Sequence, residues 1–170
     1  RWMNSGGLGT MGYGLPAAVG VQIAHPDKLV IDIAGEASVL MTMQEMSTAV
    51  QYKLPIKIFI LNNQYMGMVR QWQELLHEKN YSESYTAALP DFVKLAQAYG
   101  CVGIQATKPD ELDEKINEMI NTKEPVIFDC RVDPAENCFP MIPSGKPHNQ
   151  MLLGPEDEKE EVSDEGKTLV

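Results

Sequence analysis

Two oxygen-bearing side chains, each placed just after an apolar β-rich segment, are the strongest candidates for chemistry in this sequence. Glu36 follows KLVIDIAG (28–35), and Asn63 ends IKIFILNN (56–63). If these segments are neighbouring parallel strands, a carboxylate and an amide oxygen converge at the sheet edge where open α/β sheets bind ligands. Oxygen ligands without histidine or cysteine suit Mg²⁺, which proteins hold through few groups plus ligand phosphates. A helix-start acid at Glu36 and a simple turn at Asn62-Asn63 would explain the same residues without a ligand.

Two further stretches near these residues suit an anion. Ala37 and Ser38 open a helix, whose free backbone N–H groups and dipole favour a phosphate. Gly67, in NNQYMGM, would let a second stretch of backbone approach the same anion. Together with the two oxygen ligands, these residues predict a magnesium–diphosphate site.

The glycine-rich stretch SGGLGTMGYGLP (5–16) contains G-x-G-x-x-G at Gly7, Gly9 and Gly12, the pattern of dinucleotide-binding folds. That motif requires a strand immediately before it and a helix after it. The segment RWMNS before the glycines is too short and too polar for a buried strand. The motif alone is therefore a weak indication of NAD or FAD, and a non-catalytic Rossmann-like binding module remains an alternative interpretation.

The elements that must position these residues follow from the alternation of apolar runs. Strands are predicted at 28–35, 56–63, 101–106 and 125–132, and helices at 37–54, 90–100 and 109–122. Alternating strands and helices, with continuously apolar strands, predict an α/β fold: a doubly wound parallel sheet with helices on both faces. We expect residues 1–150 to form this domain and residues 151–170 to form an acidic tail.

Composition restricts the class of protein. A chain of 170 residues with 44% apolar and 22% charged residues is typical of one globular domain. The net charge of −10, without a basic cluster, argues against a nucleic-acid partner, and residues 156–167 alone hold seven acids and two lysines. No apolar run reaches membrane-spanning length and no signal peptide is evident, so we predict a cytoplasmic protein with reduced cysteines and no membrane partner. The start at RWMNSGG leads us to expect a longer parent protein.

Longer blocks carry a resemblance to a known family. GEAS followed by LNN resembles the thiamin-diphosphate signature, an acidic turn followed nearly thirty residues later by N-N. SGGLGTMGYGLPAAVG, QEMSTAVQYKLPIKIFILNNQYMGMVRQW and CFPMIPSGKPHN resemble the C-terminal cofactor domain of acetolactate synthase (acetohydroxyacid synthase) catalytic subunits. The resemblance covers essentially the whole chain. It implies the thiamin-diphosphate-binding fold and the C-terminal third of a longer enzyme, whose other domains bind the pyrimidine and usually FAD.

The resemblance also implies a role for individual residues. Glu36, Asn63 and the backbone carbonyl of Tyr65 match the Mg²⁺ ligands, although the family usually has Asp at position 36. Gly9 and Met11 match the turn that contacts the aminopyrimidine and holds the cofactor bent; core packing is the alternative for Met11. Positions that match the diphosphate contacts or the lining of the cofactor site are Ala37, Ser38, Asn63, Gly67 and Met68.

Two segments match the substrate end of the family's site. Trp72, with Met68, matches the lining of the acceptor-substrate pocket, and Ser144-Gly145 match a segment that closes over its mouth. Without the resemblance, Trp72 would be interpreted as the buried aromatic of an amphipathic helix.

The implied reaction is condensation of two 2-ketoacids with loss of CO₂. Two pyruvates give 2-acetolactate, and pyruvate with 2-ketobutyrate gives 2-aceto-2-hydroxybutyrate, on the way to valine, leucine and isoleucine. In this family the glutamate that assists the cofactor belongs to the N-terminal domain of a partner subunit. Nothing here matches that glutamate, so no catalytic residue is assigned and the chain alone is expected to be inactive.

The resemblance also implies partners, and it has competitors within the cofactor class. A homodimer or tetramer of full-length subunits and a regulatory small subunit are implied. Another thiamin-diphosphate enzyme, such as glyoxylate carboligase or pyruvate oxidase, would share the GEAS and NN core. It should lack the MVRQW and PMIPSGKPHN blocks.

Overall fold

The computed structural model describes residues 1–86 and 88–155, and the chain forms two compact units. The first unit comprises residues 1–64 and 86–134, and the second comprises residues 65–85 and 135 onward. The predicted acidic segment 156–167 lies outside the described residues.

A four-stranded parallel sheet forms the centre of the first unit. Its strands are β1 (Ile31–Ala34), β2 (Lys57–Asn62), β3 (Val102–Ala106) and β4 (Val126–Arg131). The strand order is β1-β2-β4-β3, and every neighbouring pair is parallel. The predicted strands and the predicted parallel sheet are confirmed.

The described residues contain six α-helices. They are α1 (Gly14–Ala24), α2 (Glu36–Thr42), α3 (Glu45–Gln51), α4 (Gly67–Leu76), α5 (Phe92–Tyr99) and α6 (Leu112–Asn121). A 3₁₀ turn at Pro109–Glu111 leads into α6. None of the helices in residues 1–86 and 88–155 is both long and apolar enough to cross a membrane.

The alternation of side chains along β2 divides the core between the two faces of the sheet. Ile58 and Ile60 belong to a buried cluster with residues of α1, α3 and α5, including Phe92. Phe59 contacts the other cluster, where its ring meets that of Phe128 edge-on at 4.8 Å between centroids, beside Met119 of α6. Helices therefore cover both faces, as predicted for a doubly wound sheet.

The single helix predicted at 37–54 is wrong in one respect, because the structure contains two helices there. At the junction, Met46 N–H donates to Met43 O at 3.0 Å and Ser47 N–H donates to Gln44 O at 3.1 Å. These three-residue bonds tighten the backbone beyond an α-helix, so α2 ends at Thr42 and α3 begins at Glu45. The helix α1, directly after the glycine-rich stretch, was not among the predicted elements.

The second unit is organised by α4. Before it, Tyr65 pairs with Tyr85 in an antiparallel bridge, and Met66 N–H donates to Ser84 O at 2.9 Å. In the second stretch of this unit, after residue 134, the chain folds back on itself, and Met141 and Leu152 exchange two backbone hydrogen bonds.

Candidate cofactor site

Glu36 and Asn63 lie at the carboxyl ends of two adjacent strands of the first unit. Ala34, the last residue of β1, is in register with Ile60 of β2, so both strands end at the same sheet edge. Glu36 follows β1 after one residue and Asn63 follows β2 directly. The two strand ends that carry Glu36 and Asn63 are therefore neighbours, as the sequence predicted.

The Glu36 carboxylate is buried and only partly satisfied. The residue is 1% exposed, and its Oε1 accepts a long hydrogen bond of 3.5 Å from the Thr86 hydroxyl. Among the described residues, Oε2 has no hydrogen-bond partner. Burial raises the pKa of the Glu36 carboxyl; bonds from its own backbone and Thr86, and then Arg131, act in the opposite direction. Buried carboxylates ordinarily pair or coordinate metals, so this oxygen fits a cation ligand.

The glycine-rich turn before α1 is fastened to α2. Gly12 N–H donates to Ser38 Oγ at 2.9 Å, and Thr42 Oγ1 donates to Gly12 O at 3.0 Å. Gly9 and Gly12 have φ angles of +65° and +83°, which L-residues with a Cβ rarely adopt. Because Ser38 accepts in this bond, its hydroxyl hydrogen stays available to donate elsewhere.

Met11 lies in this turn and is 43% exposed. It belongs to neither of the two buried apolar clusters of the described residues. Ala37 occupies the first turn of α2, which begins after Gly35 without a side-chain cap. The backbone N–H groups of such a first turn have no partners within the helix.

The other predicted residues lie in the second unit. The rings of Tyr65 and Tyr85 lie 5.0 Å apart between centroids and are tilted by 49°, and Gly67 is the first residue of α4. Gly145 adopts φ +79° in a turn closed by a 3.0 Å bond from Lys146 N–H to Pro143 O, and Ser144 lies in that turn.

Met68 and Trp72, one turn apart on α4, line the same groove of the second unit. The groove has a volume of about 850 Å³, and its lining consists of Met68, Val69, Trp72, Gln73, Leu76, His77, Glu78 and Asn80. Trp72 is half-buried and Met68 is 52% exposed, so both side chains face a space that a small molecule can enter. The structure thus brings the two predicted substrate residues together.

Three residues of the first unit's polar network were not singled out from the sequence. Asp129, in β4, is fully buried and accepts a 2.8 Å bond from Asn62 Nδ2. Thr86, remote in sequence from both strand ends, reaches Glu36. Only Asn62 gave a signal, as the first residue of an asparagine pair directly after an apolar strand.

The comparisons with known proteins agree with the fold. Residues 1–130 match the family described as "Thiamine pyrophosphate enzyme, C-terminal TPP binding domain". The chain therefore belongs to this family of thiamin-diphosphate-binding domains.

Curated proteins that are similar in sequence to this chain include acetolactate synthase subunits. The chain is 52% identical to the acetolactate synthase large subunit of Cyanidium caldarium over 89% of this chain and 26% of that protein. It is 46% identical to the large subunit of Haemophilus influenzae over 94% of this chain and 28% of the relative. It is 48% identical to the mitochondrial acetolactate synthase catalytic subunit of Saccharomyces cerevisiae, over 95% of this chain and 23% of that protein. The resemblance to acetolactate synthase catalytic subunits is confirmed, and the chain spans about a quarter of the length of these relatives.

One solved structure shows the same fold. The thiamine diphosphate-dependent 4-hydroxybenzoylformate decarboxylase of Rhodococcus jostii RHA1 superposes with a TM-score of 0.68 at 31% identity. The match covers 75% of this chain and 24% of that protein.

Proposed function

We propose that this chain is the cofactor-binding domain of an acetolactate synthase catalytic subunit, with residues 1–150 as the domain and 151–170 as its tail. The observation that carries the proposal is the buried Glu36 Oε2, which has no hydrogen-bond partner among the described residues and lies at the strand-end edge that also holds Asn63. A divalent cation would satisfy that oxygen. The relatives, which are acetolactate synthase subunits, indicate the reaction.

Each residue of the proposed site has a defined task. Glu36 Oε2 and the Asn63 side chain hold Mg²⁺, and the resemblance adds the backbone carbonyl of Tyr65. The first-turn N–H groups at Ala37 and the Ser38 hydroxyl donate to diphosphate oxygens, and Gly67 and Met68 are further contacts implied by the resemblance. The turn containing Gly9 and Met11 presses on the aminopyrimidine, since α2 holds it through Gly12.

Thiamin diphosphate, when bound, supplies the carbanion chemistry that decarboxylates one 2-ketoacid and joins the remainder to a second. This chain binds and orients the cofactor, and its α4 groove receives the acceptor. Met68 and Trp72 form the apolar wall of that groove. Ser144 and Gly145 close over the mouth of the acceptor site by resemblance only.

The remaining parts of the proposed enzyme lie outside this chain. We propose that FAD is carried by another domain, and that full-length subunits assemble as a homodimer or tetramer in the cytoplasm. The relatives are named "large subunit" and "catalytic subunit", and these names support a second, regulatory small subunit.

The test is product analysis of the complete gene product that carries this chain. With pyruvate, thiamin diphosphate and Mg²⁺, we expect 2-acetolactate and CO₂ in equal amounts, and no product without either cofactor. Release of CO₂ with acetaldehyde or acetate as the product would identify a different thiamin-diphosphate enzyme. Glyoxylate as the preferred substrate would identify a glyoxylate carboligase.

A further inference from the structure

We propose that Asn62 and Asp129 are positioning residues that fix the metal ligand Asn63, an inference that rests on the proposed function. Asn62 is 1% exposed and Asp129 is completely buried, and they lie on the neighbouring strands β2 and β4. Neither residue belongs to the Mg²⁺ and cofactor contacts implied by the resemblance, so their burial calls for another explanation.

The buried carboxylate of Asp129 is held from two strands. Gln105 Nε2, on β3, donates to Asp129 Oδ2 at 2.9 Å, and Arg131 Nε, on β4, lies 3.3 Å from the same oxygen. These contacts leave Oδ1 for Asn62, whose Nδ2 donates to it at 2.8 Å. Charge-assisted bonds of this kind are short and directional, so Asp129 fixes the amide plane of Asn62.

Asn62 passes this constraint to the turn that contains Asn63. Its Oδ1 accepts a 3.2 Å bond from the backbone N–H of Gln64. Gln64 has φ +61°, a left-handed conformation that is uncommon for a residue with a side chain. This bond between Gln64 N–H and Asn62 Oδ1 spans residue 63 and holds Gln64 in its left-handed conformation. An asparagine oxygen that accepts from the residue two positions later stabilises such a turn. The backbone of Asn63 is thereby held between two residues that are themselves hydrogen-bonded, Asn62 before it and Gln64 after it.

The same turn is connected to Glu36. Gln64 O accepts from Thr86 N–H at 2.9 Å, and Thr86 Oγ1 reaches Glu36 Oε1 at 3.5 Å. One hydrogen-bonded path therefore joins Asp129, Asn62, the turn and Glu36. Metal sites depend on such outer contacts, whose loss ordinarily lowers metal affinity about 10–100-fold.

Two substitutions separate positioning from general stability. Asn62→Ala removes the bond to Asp129 and the bond to Gln64 together. Gln105→Ala is the matched control, because it also removes one amide donor from Asp129 but leaves the turn intact. Both should lower the melting temperature of the apoprotein, since each leaves a buried carboxylate oxygen with one bond fewer.

The readout is the Mg²⁺ concentration that gives half-maximal binding of thiamin diphosphate to the complete gene product, by titration calorimetry at saturating thiamin diphosphate. We expect this concentration to rise about 10-fold or more in Asn62→Ala and to change less than about twofold in Gln105→Ala. If Asn62→Ala does not fold, Asn62→Ser replaces it. Serine keeps a weaker bond to the residue 64 N–H and loses Asp129, so an intermediate rise of about threefold is expected.

The outcomes distinguish the inference from the proposed function. A parent protein without Mg²⁺-dependent binding overturns the proposed function and the positioning role with it. If the parent binds thiamin diphosphate with Mg²⁺ but the Asn62 variant and Gln105→Ala require the same Mg²⁺ concentration, only the positioning role is overturned.

Discussion

The two units of this chain are built by different interactions. Both buried apolar clusters belong to the first unit, where they line the two faces of the parallel sheet. In the second unit, α4 is joined to residues 135–141 by buried polar side chains. Arg70 donates to Ala135 O, Glu136 O and Asn137 Oδ1, and Gln71 donates to Cys138 O and accepts from Cys138 N–H. An apolar pattern specifies the first unit, whereas two consecutive polar residues of one helix organise the second.

The proposed functions divide along the same line. The first unit carries Glu36 and Asn63 for the metal, and the second carries Met68 and Trp72 for the acceptor. Substitutions should therefore separate cofactor binding from the choice of acceptor, and packing of the sheet from anchoring of residues 135–141.

The largest structural effect is expected from Arg70→Ala. Arg70 is 4% exposed, and its loss removes its hydrogen bonds to two main-chain carbonyls and its ion pair with Glu74. We expect the free energy of local opening of residues 135–141 to fall by about 2–4 kcal/mol. Amide hydrogen exchange of that segment measures it. Gln73→Ala is the control, since Gln73 donates instead to Ser82 O at 2.7 Å; equal loss in both variants would contradict the role of Arg70.

In the first unit, Gly103→Ala tests the packing of α5 on β3. A Cβ at Gly103 would lie 2.8 Å from Val93 Cα and Val93 O, which are backbone atoms and cannot move independently. We expect unfolding in denaturant to show a loss of about 1–3 kcal/mol. Gly20→Ala in α1 is the control, because beyond the backbone of its own helix no atom lies within 4 Å of a Cβ at this position. A helical alanine there should stabilise the fold by about 0.5–1 kcal/mol, and a loss at Gly20 equal to that at Gly103 would refute the packing explanation.

Trp72→Leu separates acceptor choice from cofactor chemistry. The extra methylene of 2-ketobutyrate, absent from pyruvate, is worth about 10–200-fold in an apolar pocket. We expect the variant to lose preference for 2-ketobutyrate within that range in competition with pyruvate, while decarboxylation of the first pyruvate changes little. The ratio of the two products is the measurement. An unchanged ratio would remove Trp72 from the acceptor site and leave it as a packing residue of α4.

The smallest effect is expected from Asp32→Asn, on the edge strand of the first unit. Burial raises the pKa of Asp32 to about 6, above the value of about 3.9 for an unfolded chain. The folded carboxyl then binds its proton more tightly, so the stability it contributes at low pH is lost as the pH rises from about 4 to about 6.

Replacing Asp32 removes that loss. Between pH 4 and pH 7, Asp32→Asn should gain about 1–2 kcal/mol relative to the parent, measured by denaturant unfolding at both pH values. Asp27→Asn is the control, because Asp27 is exposed. A parent and an Asp32→Asn variant with the same pH dependence would contradict this assignment.

The sequence was sufficient where a residue's neighbours along the chain determine its structure. The apolar run of β2 predicted a buried strand, and the helix predicted at 90–100 is α5, which ends before Gly100 in its left-handed conformation. Lys57, inside that apolar run, was not anticipated as a buried charge. It is 1% exposed because its Nζ donates to Thr122 O and Glu124 O, both at 2.8 Å, and burial lowers its pKa to about 8.

Sequence patterns could not predict the polar contacts of the site, because the partners in each contact are far apart in the chain. The strand-end positions of Glu36 and Asn63 follow from local runs, and the fold places them at one edge. The contacts of Thr86 with Glu36 and of Asp129 with Asn62 join residues far apart in the chain. No periodicity encodes such pairs, so only the folded structure reveals them.

The most direct test of the central claim is Mg²⁺-dependent binding of thiamin diphosphate by Glu36 variants of the complete gene product. Glu36→Ala should abolish the binding, and Glu36→Asp, which restores the usual family carboxylate, should bind at least as tightly as the parent. Glu45→Ala, at the start of α3, is the matched control and should bind like the parent. Unchanged cofactor affinity in Glu36→Ala would show that the buried carboxylate does not hold the metal.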